Sequence, residues 1–169
     1  MKVFITGGAG FIGSHLADVL SSRGDKVLAI DNYETGRRDN LKDDENIRVV
    51  EGDITDSALM QQLMSDFKPD LVIHSAASYK DHENWESDAR TNTVGTAVTA
   101  QTARDAGAKR FIYFQTALCY GLQPQEQPIT LNHPINPGGS SYSISKTAGE
   151  QYIELSGLDY VTFRLANAY

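Results

Sequence analysis

The chain has 169 residues, which is enough for one domain with a sizeable hydrophobic core and no more. Hydrophobic residues make up 40% of the chain and charged residues 22%, which is an ordinary globular composition. The net charge of −7 repels nucleic-acid phosphates and anionic lipids, so we expect no nucleic acid and no membrane as a partner.

The content of cysteine and histidine narrows the class of protein further. A single cysteine, Cys119, excludes an internal disulfide. The four histidines show no tight ligand spacing, so we predict no metal site. The apolar run Val3–Ile5 is too short for the core of a signal peptide, and no stretch is long enough to span a bilayer. We therefore predict a cytoplasmic protein.

Short β-branched runs alternate with longer helical patterns along the chain. The predicted strands are Lys2–Thr6, Lys26–Ile30, Ile47–Gly52, Asp70–His74, Arg110–Gln115 and Tyr160–Arg164. The predicted helices are Phe11–Ser22, Ser57–Asp66, Trp85–Ala106 and Ser140–Ser156. A proline-rich loop spans residues 117–139. Right-handed crossovers between such strands give an α/β fold, with a doubly wound parallel sheet between two helical layers.

Some apolar side chains can be assigned to the core of this fold. The first helix should bury Ile12, Leu16, Val19 and Leu20, which recur at helical spacing. The other residues that we predict in the core are His74, Trp85, Phe111, Ile112, Phe114 and Cys119.

The first strand runs directly into a glycine-rich turn, in which Gly7, Gly10 and Gly13 follow the pattern G-x-x-G-x-x-G. The first glycine permits a tight turn, the second lets the backbone approach a pyrophosphate, and the third lets helix and strand pack closely. The N-terminus of the helix then faces the anion. A plain tight turn would also use glycine, but the strand before and the helix after favour a dinucleotide-binding Rossmann-type fold.

The residue after the second predicted strand indicates which dinucleotide binds. Asp31 is placed to accept hydrogen bonds from the adenosine ribose, and its charge would repel a 2′-phosphate. This favours NAD over NADP. Arg37 and Arg38 point the other way, because arginines near this strand can bind the phosphate, unless they belong to a solvated loop.

Tyr142 and Lys146 form the pattern Y-x-x-x-K on the last predicted helix, where a spacing of four places both side chains on one face. A lysine ammonium beside a tyrosine, together with the positive nicotinamide ring, favours the phenolate and lowers the pKa of the hydroxyl. Tyr142 could then act as a general base on an alcohol. A surface Tyr–Lys pair is the alternative.

Taken together, these motifs resemble the extended short-chain dehydrogenase/reductases, specifically the NAD-dependent sugar epimerase/dehydratase family. The resemblance covers the whole chain. It is carried by segments 6–13, 31–32, 52–54, 72–77, 91–96, 119–121, 142–146 and 164–169. It implies that residues 1–169 are the NAD-binding domain and that a C-terminal substrate-binding portion is absent from the chain.

The resemblance also implies roles for individual residues. Thr116, Tyr142 and Lys146 would be catalytic, and Thr116 and Asn167 would contact the substrate. Asn92 would support the nicotinamide side of the site, although it could simply be a polar helix residue. The cofactor site would comprise Gly7, Gly10, Phe11, Ile12, Gly13, Asp31, Asn32, Gly36, Asp53, Ile54, Ala76, Ala77, Ser78, Asn92, Tyr142 and Lys146.

One departure from the family pattern narrows the reaction. Related dehydratases carry acidic residues directly after the catalytic threonine, whereas this chain has Ala117 and Leu118. Neither residue can transfer a proton, which favours an epimerase or a simple dehydrogenase over a dehydratase.

The resemblance therefore implies a nucleotide-sugar 4-epimerase that inverts C4 of an NDP-hexose, with a UDP-linked sugar as its substrate. Surface polysaccharide or lipopolysaccharide synthesis would be its pathway. A homodimer would form through helices Trp85–Ala106 and Ser140–Ser156, as in the family. Two alternatives remain: a dehydrogenase/reductase or dehydratase of the same family, and a non-catalytic NAD(H)-binding regulatory protein.

Overall fold

The computed structural model describes residues 1–166, which contain one parallel six-stranded sheet. Its strands lie in the order β3-β2-β1-β4-β5-β6, and every neighbouring pair is parallel. This order confirms the predicted Rossmann-type α/β fold. The strands are β1 (Lys2–Thr6), β2 (Lys26–Asp31), β3 (Ile47–Glu51), β4 (Leu71–His74), β5 (Arg110–Thr116) and β6 (Tyr160–Leu165).

The helices follow the predicted positions with one internal difference. They are α1 (Phe11–Ser22), α2 (Ser57–Phe67), α3 (Trp85–Asp88), α4 (Thr96–Asp105) and α5 (Ser141–Ser156). The predicted long helix Trp85–Ala106 consists of α3 and α4 joined by a π-helical segment, Ala89–Gly95. Backbone angles stay helical at both junctions, so the helix continues without a break through all three segments. Short 3₁₀ turns occupy Arg38–Asn40 and Ala117–Tyr120.

The sheet separates two hydrophobic clusters, as the alternation of side chains along each strand requires. Phe4 packs on the side of α2, α4 and α5, in one cluster with Met60, Ala100 and Ile153. Its neighbours Val3 and Ile5 belong to the other cluster, on the side of α1. The two clusters lie between the sheet and the helices on each of its faces, which gives the predicted arrangement of three layers.

Two residues that we predicted in the core are exposed. Val19 in α1 is 55% exposed, because the small residues Gly13, Ser14, Ala17 and Ser21 form much of the buried side of that helix. Trp85, the first residue of α3, is 68% exposed. The other core assignments agree with the structure: Leu20, His74, Phe111 and Cys119 are buried, and Ile12, Leu16, Ile112 and Phe114 are partly buried.

The strand order reverses between β1 and β4. Crossovers lead away from this point in opposite directions, which leaves a crevice at the carboxyl ends of the two strands. Ligands of doubly wound sheets bind in such a crevice, so the topology itself indicates where the functional site lies. Within residues 1–166, no helix has the length and apolar character needed to cross a membrane.

Candidate cofactor and catalytic site

A cleft of about 500 Å³ opens at the carboxyl ends of β1 and β4. Most of the predicted cofactor residues line it, whereas Gly36, Asn92 and Lys146 do not. The predicted residues in its wall are Gly7, Gly10, Phe11, Ile12, Gly13, Asp31, Asn32, Asp53, Ile54, Ala76, Ala77, Ser78 and Tyr142. The sequence prediction missed Glu34, Thr35, Asn40, Gly52, Ser75, Tyr79, Lys80 and Thr91.

The glycine turn forms one side of the cleft, and steric contacts explain why its first and third positions are glycine. Gly7 has a φ of +65°, and a Cβ there would lie 2.7 Å from the backbone nitrogen of Ala76. A Cβ on Gly13 would lie 2.2 Å from the carbonyl oxygen of Gly7. Gly10 is less confined, with that same oxygen at 3.2 Å. The turn therefore keeps the backbone bare where the N-terminus of α1 meets the cleft, as binding of a pyrophosphate requires.

Asp31 ends β2 and is held by backbone N–H groups. Ala9 donates to Oδ2 and Tyr33 donates to Oδ1, both at 2.8 Å. Gly36 passes so close that a Cβ on it would lie 2.8 Å from Oδ1. Gly36 therefore does not line the cleft. Because it has no side chain, the backbone can pass close to the Asp31 carboxylate. The buried, fixed carboxylate of Asp31 fits the predicted acceptor for ribose hydroxyls.

Both arginines that could have favoured NADP are paired with acidic side chains. Arg37 donates two hydrogen bonds to Asp39, at 2.9 and 2.7 Å. Arg38 pairs with Glu51, and its guanidinium lies 4.2 Å from the centroid of the Tyr33 ring. Both pairs are largely exposed and hold the arginines only weakly, so the fixed carboxylate of Asp31 is the feature that favours NAD.

The middle of the cleft lies between β4 and the π-helical segment. Asn92 is fully buried there, and its side chain accepts from the N–H of Ser78 at 2.8 Å and donates to the Ser78 carbonyl at 2.9 Å. It also donates to Ser145 Oγ at 3.1 Å. Asn92 therefore supports the cleft through Ser78 and ties it to α5, without forming part of the wall. A π-helical segment at this place is typical of a functional site.

His74 forms a buried polar chain behind the cleft. Thr96 Oγ1 donates to the carbonyl of Asn92 at 2.6 Å, so His74 Nε2 is assigned as the donor to Thr96 at 2.8 Å. Nδ1 then accepts from Thr6 at 2.6 Å. Burial and then the charge of Lys146 hold the His74 pKa well below its ordinary value. A neutral histidine with both ring nitrogens engaged fits the predicted structural role.

Tyr142 and Lys146 project from the first turns of α5, whose N-cap Ser140 accepts from the N–H of Ser143. Tyr142 is half-buried and lines the cleft. Lys146 is 2% exposed, and its Nζ lies 4.0 Å from the centroid of the Tyr113 ring. Burial lowers the pKa of Lys146 to about 7, against an opposing contribution from Glu150.

The protein groups alone do not lower the pKa of Tyr142, so the predicted lowering by Lys146 together with the nicotinamide ring stays a prediction. Burial raises the pKa of Tyr142, and the charges of Asp88 and Tyr79 raise it further. A lysine that is itself stripped of water and titrates near neutral pH is a weak source of positive charge. Ionisation of Tyr142 therefore needs positive charge from outside these side chains.

Thr116 is the last residue of β5 and lies outside the wall of the cleft. It is 8% exposed, and its Oγ1 accepts from the N–H of Leu118, which caps the 3₁₀ turn that follows. Asn167, the other predicted substrate contact, lies outside the described residues. Across residues 1–166, no group of three or more His, Cys, Asp or Glu side chains is arranged to hold a metal ion.

Known proteins of the same kind match the whole chain. The model of the NAD dependent epimerase/dehydratase family matches residues 3–169. A UDP-glucose 4-epimerase from Mycolicibacterium smegmatis is 35% identical over 100% of this chain and 56% of its own length. The chain thus spans little more than half the length of the curated relatives it matches.

Solved structures agree with the family match. The Bordetella bronchiseptica enzyme WbmH, in complex with NAD⁺, is 58% identical, with a TM-score of 0.96 over 98% of this chain and 56% of that one. Thermotoga maritima UDP-glucose 4-epimerase with UDP-glucose is 34% identical, with a TM-score of 0.94 over 100% of this chain and 56% of that one. These matches confirm the predicted resemblance and NAD as the family's cofactor. The chain belongs to the NAD-dependent epimerase/dehydratase family.

Proposed function

We propose that this chain forms the NAD-binding part of a nucleotide-sugar 4-epimerase that acts on a UDP-hexose. The observation that carries the proposal is the continuous cleft, which extends from Asp31 past the glycine turn to Tyr142. At one end Asp31 offers an acceptor for the ribose hydroxyls, and at the other end Tyr142 is a candidate acid–base group. The named activities of the relatives support a 4-epimerase, since the matched proteins include UDP-glucose 4-epimerases.

The residues of the cleft would divide the work of holding the cofactor. The glycine turn and the start of α1 would bind the pyrophosphate, and Asp31 would bind the adenosine ribose. Asp53 and Ile54 would flank the adenine. When bound, NAD⁺ would supply a hydride acceptor for C4 of the sugar, and the 4-keto sugar would turn in the site before the hydride returned to its opposite face.

Tyr142 would accept the proton of the C4 hydroxyl and later return it, acting as general base and then general acid. Its half-buried position at the cleft wall suits this exchange. Thr116 would assist by hydrogen bonding to the same hydroxyl. Ala117 and Leu118 offer no second acid, so the elimination catalysed by dehydratases is not part of the proposal.

The test measures the product and the cofactor together in the full-length protein. A UDP-hexose should yield its C4 epimer with no net accumulation of NADH. Tyr142→Phe should lower turnover by about 10²–10⁴-fold while NAD still binds, because the hydroxyl is lost and the ring is kept. Tyr152→Phe, on the same helix but 47% exposed, is the matched control and should retain turnover.

Other outcomes would replace the proposal with a named alternative. Stoichiometric NADH would indicate a dehydrogenase, and a 4-keto-6-deoxy product would indicate a dehydratase. A Tyr142→Phe protein with native turnover would remove the assigned base. NAD binding with no turnover of any nucleotide sugar would favour the regulatory protein.

We retain as a proposal the sequence prediction that the site needs a further substrate-binding portion. The chain spans 56% of the length of the M. smegmatis relative, which supports it. Residues 1–169 alone should then bind NAD without epimerising a nucleotide sugar. Turnover by this piece would contradict the proposal. The cytoplasmic location and the link to surface polysaccharide stay predictions.

The predicted homodimer is retained as a proposal. Apolar side chains are exposed on the helices expected to pair: Trp85, Val94, Ile144, Tyr152 and Leu155 are 47–78% exposed. A two-fold contact between these helices would cover such side chains. Light scattering on the full-length protein should give twice the monomer mass at micromolar concentration, and Ile144→Glu should shift it toward the monomer. A native monomer would contradict the proposal.

A further inference from the structure

A row of four hydrogen bonds passes through the buried side chain of His74 and links two parts of the cleft. On one side, the backbone N–H of Ala76 donates to Thr6 Oγ1 at 3.3 Å, and Thr6 Oγ1 donates to His74 Nδ1 at 2.6 Å. On the other side, His74 Nε2 donates to Thr96 Oγ1 at 2.8 Å, and Thr96 Oγ1 donates to the Asn92 carbonyl at 2.6 Å. All members of this His74 network except Ala76 are 0% exposed, so bulk water does not compete for the bonds between them.

The two ends of the His74 network determine the direction of its bonds. At one end a backbone N–H can only donate, and at the other a carbonyl can only accept. A hydroxyl has a single hydrogen, so the ring nitrogen beside Thr96 is the donor and the ring nitrogen beside Thr6 is the acceptor. Tyr113 of β5 holds the plane of the imidazole, with 5.6 Å between the ring centroids and 11° between the rings. A neutral imidazole therefore completes the network with every hydrogen used once.

Both ends of the His74 network hold the segment 76–78, which forms the wall of the cleft after β4. Ala76 is held directly, through its N–H. Ser78 is held by the side chain of Asn92, through hydrogen bonds of 2.8 and 2.9 Å, while the carbonyl of Asn92 accepts the last bond of the network. One imidazole thus supports both ends of this wall segment without touching the cleft.

We propose that His74 is a positioning residue: its neutral imidazole ties β1 to α4 and so fixes the wall segment 76–78 against the nicotinamide half of the cofactor. That half is assigned to the end of the cleft where Tyr142 lies, an assignment that rests on the proposed function. Asp31 and the glycine turn would take the ADP half at the other end. Loss of the network should therefore weaken contacts with one half of NAD and spare the other.

The test removes one bond of the network with little change in side-chain shape. Thr96→Val in the full-length protein deletes the hydroxyl between His74 and Asn92 and leaves the bond from Thr6 to His74 in place. Thr99→Val is the matched control, because Thr99 is also 0% exposed on α4 and its Oγ1 donates to a backbone carbonyl at 2.7 Å, outside the network. Calorimetric titration of the cofactor-free protein compares NAD with ADP, which lacks the nicotinamide riboside.

Thr96→Val should weaken NAD by about three- to tenfold, as expected for one lost buried hydrogen bond, and ADP by less than about twofold. Thr99→Val should leave both affinities within about twofold of native. Native NAD affinity in Thr96→Val would overturn the proposal. An equal loss for NAD and ADP, or an equal loss of NAD affinity in Thr99→Val, would indicate a general structural defect and overturn it as well.

A double-mutant cycle decides whether His74 acts through this network. His74→Leu should weaken NAD at least as much as Thr96→Val, and the double variant should bind NAD no more weakly than His74→Leu alone. Losses that multiply would mean that the two side chains act separately, which contradicts the proposal. His74→Gln keeps an amide donor toward Thr96 and should retain part of the NAD affinity. If His74→Leu does not fold, the cycle is run with His74→Gln, and independent losses would again contradict the proposal.

NMR with isotope-labelled histidine reads the tautomer of the native protein without any ligand. The His74 signal, identified by its loss in His74→Gln, should show a proton on Nε2 and none on Nδ1 at neutral pH. A proton on Nδ1 would contradict the proposal. Absence of epimerisation by the native full-length protein would instead refute the proposed function, and the comparison of NAD with ADP would still decide the role of His74.

Discussion

Replacing Lys146 with methionine should stabilise the folded chain while it removes a residue that the proposed chemistry requires. Lys146 is 2% exposed, and burial lowers its pKa from an ordinary value of 10.5 to about 7. Below the lower value the folded chain carries a buried ammonium that water no longer solvates. Methionine fills the same space without that charge.

The magnitude follows from the difference between the two pKa values. The difference exceeds three units, and each unit corresponds to about 1.4 kcal/mol, so the buried charge costs on the order of 4 kcal/mol at pH 7 and below. Between pH 7 and 10.5 the unfolded chain binds the proton and the folded chain does not. The free energy of unfolding of the native chain therefore rises with pH across this window.

Urea unfolding of the chain near neutral pH and at about pH 9 tests this reasoning. Lys146→Met should be more stable by about 2–4 kcal/mol near neutral pH, and roughly half of the gain should be lost at the higher pH. Lys42→Met, at a side chain that is 73% exposed, is the control and should change stability by less than about 0.5 kcal/mol at either pH. A gain that does not depend on pH, or a loss of stability near neutral pH, would refute the argument from burial.

Two further predictions concern the cofactor end of the cleft. Gly13→Ala should destabilise the chain by about 1–3 kcal/mol, because its Cβ would lie 2.2 Å from the Gly7 carbonyl oxygen. Gly10→Ala, with that oxygen at 3.2 Å, should cost about 1 kcal/mol or less in the same thermal or urea unfolding experiment; equal costs would mean that the turn relaxes around Gly13. Asp31→Asn should weaken NAD by about tenfold or more in a calorimetric titration, since a charged acceptor is lost, whereas Asp39→Asn at the exposed pair with Arg37 should not. Tighter binding of NADP than of NAD by the native chain would contradict the role of Asp31 and implicate the arginines.

The sequence by itself determined the fold class and the kind of cofactor. The dinucleotide motif is local in sequence. It consists of glycines 7, 10 and 13 between a strand and a helix, with Asp31 after the next strand. Strand and helix positions were predicted to within a few residues for the same reason, since the period of apolar side chains is a local signal. The pattern Y-x-x-x-K likewise placed Tyr142 at the cleft and Lys146 one turn further along α5.

Only the tertiary structure decided how these residues are surrounded. Helical spacing assigned Val19 to the core, but which face of α1 meets the sheet depends on the small residues that allow close packing. In the π-helical segment, Asn92 and Thr93 form hydrogen bonds with Ser78 and Ser145, which are distant in sequence, so no local pattern indicates these contacts. The pKa values of buried side chains also depend on the tertiary structure, because burial is a property of the assembled fold. Motif spacing brought Lys146 near Tyr142, but burial made that lysine weakly basic and raised the pKa of Tyr142.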